Sequence, residues 1–180
     1  MTLVIVIAVI AALVLYGVSV QNSLVKSDEL CNNALKQISV QQTSRYDVIM
    51  SLIKLTREYS SYESETLQKV VEARRIVTAN PSVKDIQENE AVLNSTLSRL
   101  IAVAEQYPDL KASTNYQESM KSIKEYEENV RLSRMTFNDT VTKYNNQVRM
   151  FPSSIFAAIF GFSKRDYLEE NPAKMEFPEF

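Results

Sequence analysis

The chain of 180 residues contains no histidine and no tryptophan, only one cysteine, and only two glycines. Without histidine it lacks the commonest metal ligand and general base, so we expect no metal site and no cofactor. Two isolated glycines cannot form a glycine-rich phosphate-binding loop. The single cysteine, Cys31, cannot form an intrachain disulfide, which is compatible with a reducing compartment. A formal net charge of −2 without a basic run argues against a nucleic-acid partner.

The N-terminus contains the longest apolar run. Residues 2–20 carry no charge, and every charged residue follows residue 25. Nineteen helical residues are about 28 Å long, close to the thickness of the hydrocarbon core of a bilayer. We therefore predict a retained transmembrane anchor at residues 1–22, with the lipid bilayer as its partner.

Two other structures could account for this run. A cleavable signal peptide would need Lys or Arg before the apolar region and a clear small-residue cleavage site after it, and the sequence has neither. A buried core helix rarely lacks a polar face over five turns. Because Lys26 follows the run and no basic side chain precedes it, the positive-inside rule predicts that the rest of the chain lies in the cytoplasm. Asp28 and Glu29 adjoin Lys26, so this orientation depends on few charges.

Residues 23–163 have the pattern of an all-α bundle. Long stretches without glycine or proline are rich in good helix formers. Leu24, Cys31 and Ile38 recur every seven residues after the anchor. We therefore expect the transmembrane helix to continue without a break to Gln42.

Start and stop signals predict three further helices. Ser44, followed three residues later by Asp47, predicts the N-cap of the second helix. Ser82 predicts the N-cap of the third helix, which Pro108 should end. The fourth helix has the most regular pattern, because six aromatic or apolar residues recur every seven positions: Tyr116, Ile123, Val130, Phe137, Tyr144 and Phe151. This spacing, with short connections, indicates an antiparallel bundle with coiled-coil-like packing.

A short apolar segment and a tail follow the fourth helix. Phe151 and Pro152 should end that helix, and the two serines that follow should cap residues 155–160, which Gly161 should close. The segment is too short to span a bilayer. It could cap the end of the bundle, insert into a membrane interface or pack on a neighbouring subunit. Residues 164–180 should form an extended, poorly packed C-terminal tail.

Several motifs in order resemble the LemA family of bacterial membrane proteins, and the resemblance covers nearly the whole chain. The most specific stretches are AEQYPDLKA at residues 104–112 and VTKYNNQVRMFP at residues 141–152. The chain departs from the family pattern at Tyr62, where the family has histidine. The resemblance implies a helical bundle on a single anchor in the bacterial inner membrane, without a defined biochemical role. Seven residues carry the motifs: Arg45, Asp47, Tyr107, Pro108, Asp109, Phe151 and Pro152.

Three charged residues fall at positions of the predicted helices where an apolar residue is expected. Glu63, Glu127 and Arg134 each carry a desolvation cost unless they are paired. Glu127 and Arg134 are two turns apart on one helix, so their partners should come from other helices, with Glu63 a candidate partner for Arg134. They could form a polar site inside the bundle or a buried ion pair that sets helix register.

These patterns favour a non-enzymatic, membrane-anchored scaffold that self-associates into a homo-oligomer and could shape or organise the membrane. The alternative is a single-pass adaptor that recruits a protein partner, such as a signalling protein or a protease. A third hypothesis is an enzyme with a polar site around Glu63, Glu127 and Arg134.

Overall fold

The computed structural model describes residues 1–57, 59, 64–79 and 81–169. Within these residues the secondary structure is entirely helical, without strands, which confirms the all-α fold class. The helices are α1 (Thr2–Thr56), α2 (Ser64–Ala79), α3 (Val83–Gln106), α4 (Pro108–Ala112), α5 (Thr114–Arg149) and α6 (Ser153–Ile159).

Helix α1 continues through the position where a second helix was predicted to begin. The hydroxyl of Ser44 does not cap a new helix but donates a hydrogen bond to the carbonyl of Val40, 3.2 Å away. A serine inside a helix can bond to the carbonyl one turn earlier, so the predicted break was wrong. The seven-residue series of Leu24, Cys31 and Ile38 continues through Arg45 and Leu52, and all five side chains are buried.

The N-terminal part of α1 has the surface of a membrane span. It is the one helix among the described residues that is long and apolar enough, by length and composition, to cross a membrane. Its side chains are almost all exposed, from Leu3 to Val18, whereas the core helix of a soluble protein would bury them.

Helix α3 begins and ends where the sequence signals predicted. The Ser82 hydroxyl accepts a hydrogen bond from the backbone N–H of Asp85, and the Asp85 carboxylate accepts one from the backbone N–H of Ser82. These reciprocal bonds form a capping box. Helix α3 ends at Gln106, and Pro108 occupies the first turn of α4, where its missing N–H costs nothing.

The seven-residue series of α5 is buried except at its last member. Phe151 lies beyond the end of α5 and is 80% exposed. The peptide bond between Phe151 and Pro152 is cis, and Pro152 is the residue that precedes α6. Ser153, which was expected to cap α6, instead donates its hydroxyl to the carbonyl of Gln147 at 2.7 Å.

The chain divides into two compact units. Unit 1 contains Met1–Ala34 and Met135–Tyr167. Unit 2 contains Leu35–Arg134, together with residues 168–169 of the described chain. The domain boundaries predicted at residues 22 and 163 remain predictions.

In unit 2, helices α1, α2, α3 and α5 surround one apolar core. Helix α2 runs antiparallel to α1, because Ser39 bonds to the carbonyl of Val77 while Asp47 pairs with Arg74. Each large apolar side chain that is fully buried contributes about 1.5–3 kcal/mol relative to its exposed state. The core is formed by side chains of α1, α2, α3 and α5, including Ile49, Leu52, Val70, Val77, Leu93, Leu97, Leu100 and Ile123.

In unit 1, the segment after α6 packs on α1 and α5. Residues 162–169 have no helix, as predicted for the tail, but they are not loosely packed. Arg165 hydrogen-bonds to Asp28 and Asn32 of α1. The expectation of a poorly packed tail was therefore wrong for its first residues.

Candidate functional site: a buried charge cluster in unit 2

Arg45 is the most deeply buried charged residue of unit 2. Its residue surface is 1% exposed, at a position of α1 where the seven-residue series places a core side chain. One terminal nitrogen, Nη2, lies 3.5 Å from the Oδ1 atom of Asn94 and 3.9 Å from the Oε2 atom of Glu127. The cluster thus begins with a guanidinium that helices α1, α3 and α5 enclose.

The pair of Arg45 and Glu127 is incompletely satisfied. Among the described residues, no hydrogen-bond partner reaches Nε or Nη1 of Arg45, or Oε2 of Glu127. A buried charge without its hydrogen bonds keeps much of its desolvation cost. We therefore expect this pair to contribute little net stability to the fold.

The second pair of the cluster is joined by a direct, largely buried hydrogen bond. Arg134 donates a hydrogen bond from Nη1 to the Oε2 atom of Glu90, and the two side chains are only 13% and 12% exposed. The Nη2 atom of Arg134 also donates to the backbone carbonyl of Glu169, 2.6 Å away. Charge-assisted hydrogen bonds of this kind are about twice as strong as neutral ones.

Burial shifts the pKa values of the first pair, Arg45 and Glu127. It lowers the pKa of the Arg45 guanidinium, although the nearby charges of Glu127 and Glu90 oppose this shift. Burial also raises the pKa of the Glu127 carboxyl, which Arg45 opposes. The charges of Glu90 and Glu128 add to the rise.

Uncharged polar groups surround the cluster and fix helices α1 and α3 against each other. The hydroxyl of Tyr46 donates to the carbonyl of Asn89 at 3.0 Å, and burial raises the pKa of this phenol. The amide of Gln42 donates to the carbonyl of Ile86 at 3.4 Å. These contacts follow in the same order along both helices, so α1 and α3 run parallel in unit 2.

The cluster can hold helices in register, because its two cations and two anions come from α1, α3 and α5 and compensate one another. In the described part of the chain, no three acidic or cysteine side chains group as metal ligands do.

The structure brings two of the three predicted polar residues together. Glu127 and Arg134 both belong to the cluster, each with a partner from another helix. Glu63 lies outside the described residues, so its predicted pairing with Arg134 has no structural description. The described carboxylate that binds Arg134 is Glu90.

Sequence reasoning missed Glu90 and the burial of Arg45. Glu90 falls between Ile86 and Leu93 on the apolar stripe of α3, four residues after the first and three before the second. Arg45 extends the seven-residue series of α1. Both residues could have been recognised from these positions. Arg45 was missed because the predicted break at Ser44 ended the series of α1 too early.

The other motif residues lie outside the cluster. Asp47 accepts a hydrogen bond from Nε of Arg74 at 2.8 Å on the surface of unit 2. Tyr107 is the residue that follows α3, and its ring centroid lies 5.8 Å from that of Tyr59. Pro108 and Asp109 form the first turn of α4. These residues shape turns and surface contacts rather than a site.

Stability should depend on pH through Glu127. Its folded-state pKa lies above the ordinary 4.5, so the folded chain binds this proton more tightly than the unfolded chain. The stabilising contribution of the protonated form is complete below pH 4.5 and is lost as pH rises through the raised pKa. The unfolding free energy of the wild type should therefore fall relative to that of Glu127→Gln as pH rises. Urea unfolding of the full chain in detergent, over a pH series, measures this difference.

The neighbouring residue provides a control of opposite sign. A hydrogen bond from Arg131 lowers the pKa of Glu128, so its stabilising contribution is present above the ordinary pKa and lost as pH falls. The unfolding free energy of the wild type should therefore increase relative to that of Glu128→Gln as pH rises. Equal trends for the two variants would contradict the assignment of Glu127 to a desolvating environment.

Unit 2 also carries an open groove between α1 and α5. Its volume is about 730 Å³. The α1 wall has residues 44, 48, 51 and 55 and the α5 wall has residues 115, 119, 122 and 126, each set spaced by three or four. Such spacing places each set on one face of its helix. The lining combines four serines with Val48, Leu55 and Tyr126, and charged side chains of both signs border it: Asp47, Lys54 and Glu118.

Comparisons with known proteins find one family and several relatives of this chain. The LemA family model matches residues 34–180. Protein LemA of Metamycoplasma hominis is 25% identical over 132 residues, which cover 73% of this chain and 60% of that protein. Magnetosome protein MamQ 2 of Paramagnetospirillum magneticum is 34% identical over 79 residues, which cover 44% of this chain and 29% of that protein.

A second magnetosome protein matches over the same length. Magnetosome protein MamQ of Magnetospirillum gryphiswaldense is 33% identical over 79 residues, again 44% of this chain and 29% of its own length. The matched part of this chain thus spans less than a third of the MamQ proteins. The family match covers far more than half of the present chain, and with it the chain belongs to the LemA family.

Proposed function

We propose that this LemA-family protein is a membrane-anchored, non-enzymatic scaffold that self-associates into a homo-oligomer and organises the membrane to which it is bound. The groove of unit 2 is the observation that carries the proposal. Its walls are two helix faces of about 16 Å each, the length of three helical turns. A third helix fits between two such faces in the way that helices pack in bundles.

A second copy of the chain is the occupant that we propose for this groove. Elsewhere on unit 2, Val71 and Ile76 of α2 and Val40 of α1 are exposed apolar side chains. A contact between this surface and the groove of a neighbour joins two different patches. Heterologous contacts of this kind repeat from copy to copy and produce rings or open arrays.

The anchor determines where such an array would form. Residues 2–20 of α1 would insert into the bacterial cell membrane in a single pass, and unit 2 would face the cytoplasm because no basic residue precedes Lys26. Copies confined to one membrane meet in two dimensions, which favours weak lateral contacts.

Filling the groove should disperse the assembly. Ser119→Trp places a large ring between the two helix faces, so the full-length protein in mild detergent should lose the large regular particles expected of the wild type in electron microscopy. Ser98→Trp is the matched control, because Ser98 is an exposed serine of α3 whose hydroxyl also bonds one turn back. The control should keep its particles.

Other outcomes would contradict the proposal. If the wild type is monomeric, a partner other than a second copy would have to occupy the groove, and the single-pass adaptor becomes the better hypothesis. In that case a photo-crosslinker at Ser122 in intact cells should capture one protein partner. If Ser119→Trp leaves large particles intact, the copies associate through another surface.

A further inference from the structure

We propose that residues 150–162, which include α6, form a second membrane contact of this protein. In this arrangement α6 lies in the interface of the bilayer, beside the end of the α1 span. The inference depends on the α1 anchor of the proposed function, but it does not depend on self-association.

The inner face of α6 packs against the apolar part of α1. The ring of Phe156 meets the ring of Tyr16 edge to face, with 5.5 Å between the centroids. Phe156 also lies directly over Gly17, where a Cβ atom would come within 2.7 Å of its Cε1 atom. Gly17 precedes Val20, the last residue of the apolar run, by three residues, or about 5 Å along the helix. Helix α6 is therefore held at the depth where the span approaches the membrane surface.

The outer face of α6 is apolar and exposed. Ile159 is 69% exposed, and Ile155, Phe160 and Met150 are also exposed. Phe151 adds an exposed ring next to them. Contiguous apolar side chains on a surface mark a site that contacts a partner or a membrane. Because Phe156 of the same helix packs on α1, whose apolar side chains are also exposed, we assign lipid as the one environment that covers both helices.

The charges around the segment also suit a membrane surface. Residues 150–163 carry no charged side chain, and the basic residues Arg149 and Lys164 flank them. Both side chains are exposed. Cations at the edges of an apolar segment can contact anionic headgroups while the apolar face enters the interface. Seven helical residues are about 10 Å long, which suits a helix lying in the interface and excludes a second span.

A polar network outside the apolar segment holds its C-terminal end in place. Nε of Arg165 donates to Oδ1 of Asp28 at 2.7 Å, and Nη2 donates to Oδ1 of Asn32 at 2.8 Å. Asn145 exchanges two hydrogen bonds with the backbone of Arg165. The hydroxyl of Tyr144 donates to the carbonyl of Ser163 at 2.9 Å.

This network and the end of α5 fix both ends of the segment. Gly161, with a φ of +78°, provides the left-handed turn that returns the chain from α6 to the network. The segment is thus positioned by the fold before it meets lipid, which lowers the entropic cost of membrane binding.

The absence of tryptophan makes a direct depth measurement feasible. We would introduce single tryptophans into the full-length protein in liposomes whose lipids carry bromine either near the headgroup or in the middle of the acyl chain. Ile159→Trp reports on α6, Leu13→Trp reports on the α1 span, and Gln37→Trp, at an exposed position of α1, reports on unit 2. We expect the shallow bromine to quench Ile159→Trp strongly and the deep bromine to quench Leu13→Trp. Gln37→Trp should keep its fluorescence with both lipids.

Each result supports or overturns the proposal. Shallow quenching of Ile159→Trp supports it, whether or not the protein oligomerises. Quenching of Leu13→Trp without quenching of Ile159→Trp overturns it and leaves the anchor intact. In that case a blue-shifted emission of Ile159→Trp would show that a neighbouring copy covers α6. If neither position is quenched, the anchor and the second contact are both refuted.

Discussion

Arg134→Met should lower the free energy of unfolding by about 3 kcal/mol, because it leaves Glu90 as a buried carboxylate without its partner. The two side chains are 13% and 12% exposed, so water cannot readily replace the lost hydrogen bond. The variant also loses the bond from Arg134 to the carbonyl of Glu169. Thermal and urea unfolding of the full chain in detergent, followed by circular dichroism, measures the change.

The same substitution one turn earlier on α5 is the control. Arg131 pairs with Glu128, with 2.9 Å between Nε and Oε2, but both side chains are more than half exposed. Exposed ion pairs contribute little to stability, so Arg131→Met should unfold nearly as the wild type does. Equal losses for the two variants would show that charge alone matters, and burial would then not distinguish the two pairs.

Ser44→Pro should cost about 3 kcal/mol or more, because it places proline in the interior of α1. Proline would remove the backbone hydrogen bond from residue 44 to Val40 and its ring would clash with the Val40 carbonyl. If Ser44 began a new helix instead, proline at this position would be tolerated far better. The helical signal in circular dichroism and the midpoint of thermal unfolding distinguish the two cases.

Val83→Pro is the matched control for this substitution. Val83 is the first residue of α3, where a backbone N–H has no partner within the helix. Ser82 before it has φ −77° and ψ 169°, an extended conformation that a following proline accepts. This variant should fold almost as well as the wild type. A large loss here would mean that proline harms any helix of the bundle, wherever it stands.

Helix boundaries could be predicted where a start or stop signal had one meaning. Ser82 and Pro108 indicated the limits of α3, because Ser82 follows the turn predicted at residues 80–81 and Pro108 disfavours helical geometry in the residue before it. At Ser44 the same kind of signal was ambiguous, since a serine hydroxyl can also bond one turn back within a helix. Only the packing of residues 45–56 in the core of unit 2 decides between a new helix at Ser44 and an uninterrupted one.

The charge cluster was predictable in part. Glu127 and Arg134 stand out because they interrupt the most regular series of the chain, that of α5. Their partners depend on which helices face each other, and the periodicity of one helix cannot reveal this. Glu90 could have been noticed as a charge on the stripe of α3, but its pairing with Arg134 required the tertiary arrangement.

The sequence left three possible roles for residues 155–160: a cap on the bundle, a segment in the membrane interface or a contact with another subunit. The contact between Phe156 and Gly17 shows that α6 packs on the apolar part of α1. This contact joins two positions that are far apart in the chain and that no local pattern connects. The direction in which the apolar outer face of α6 points follows from it. Residue spacing alone could not have placed that face next to the span.

The two points at which α1 holds the α6 segment also constrain how this protein can change in evolution. Phe156 rests on Gly17, and Arg165 binds Asp28, eleven residues or about 17 Å further along the helix. Eleven residues make just over three whole turns, so both points lie on one side of α1. Inserting or deleting one residue between them would rotate one point by about 100° relative to the other. We therefore expect relatives that keep this arrangement to conserve the length of this stretch even where its residues vary.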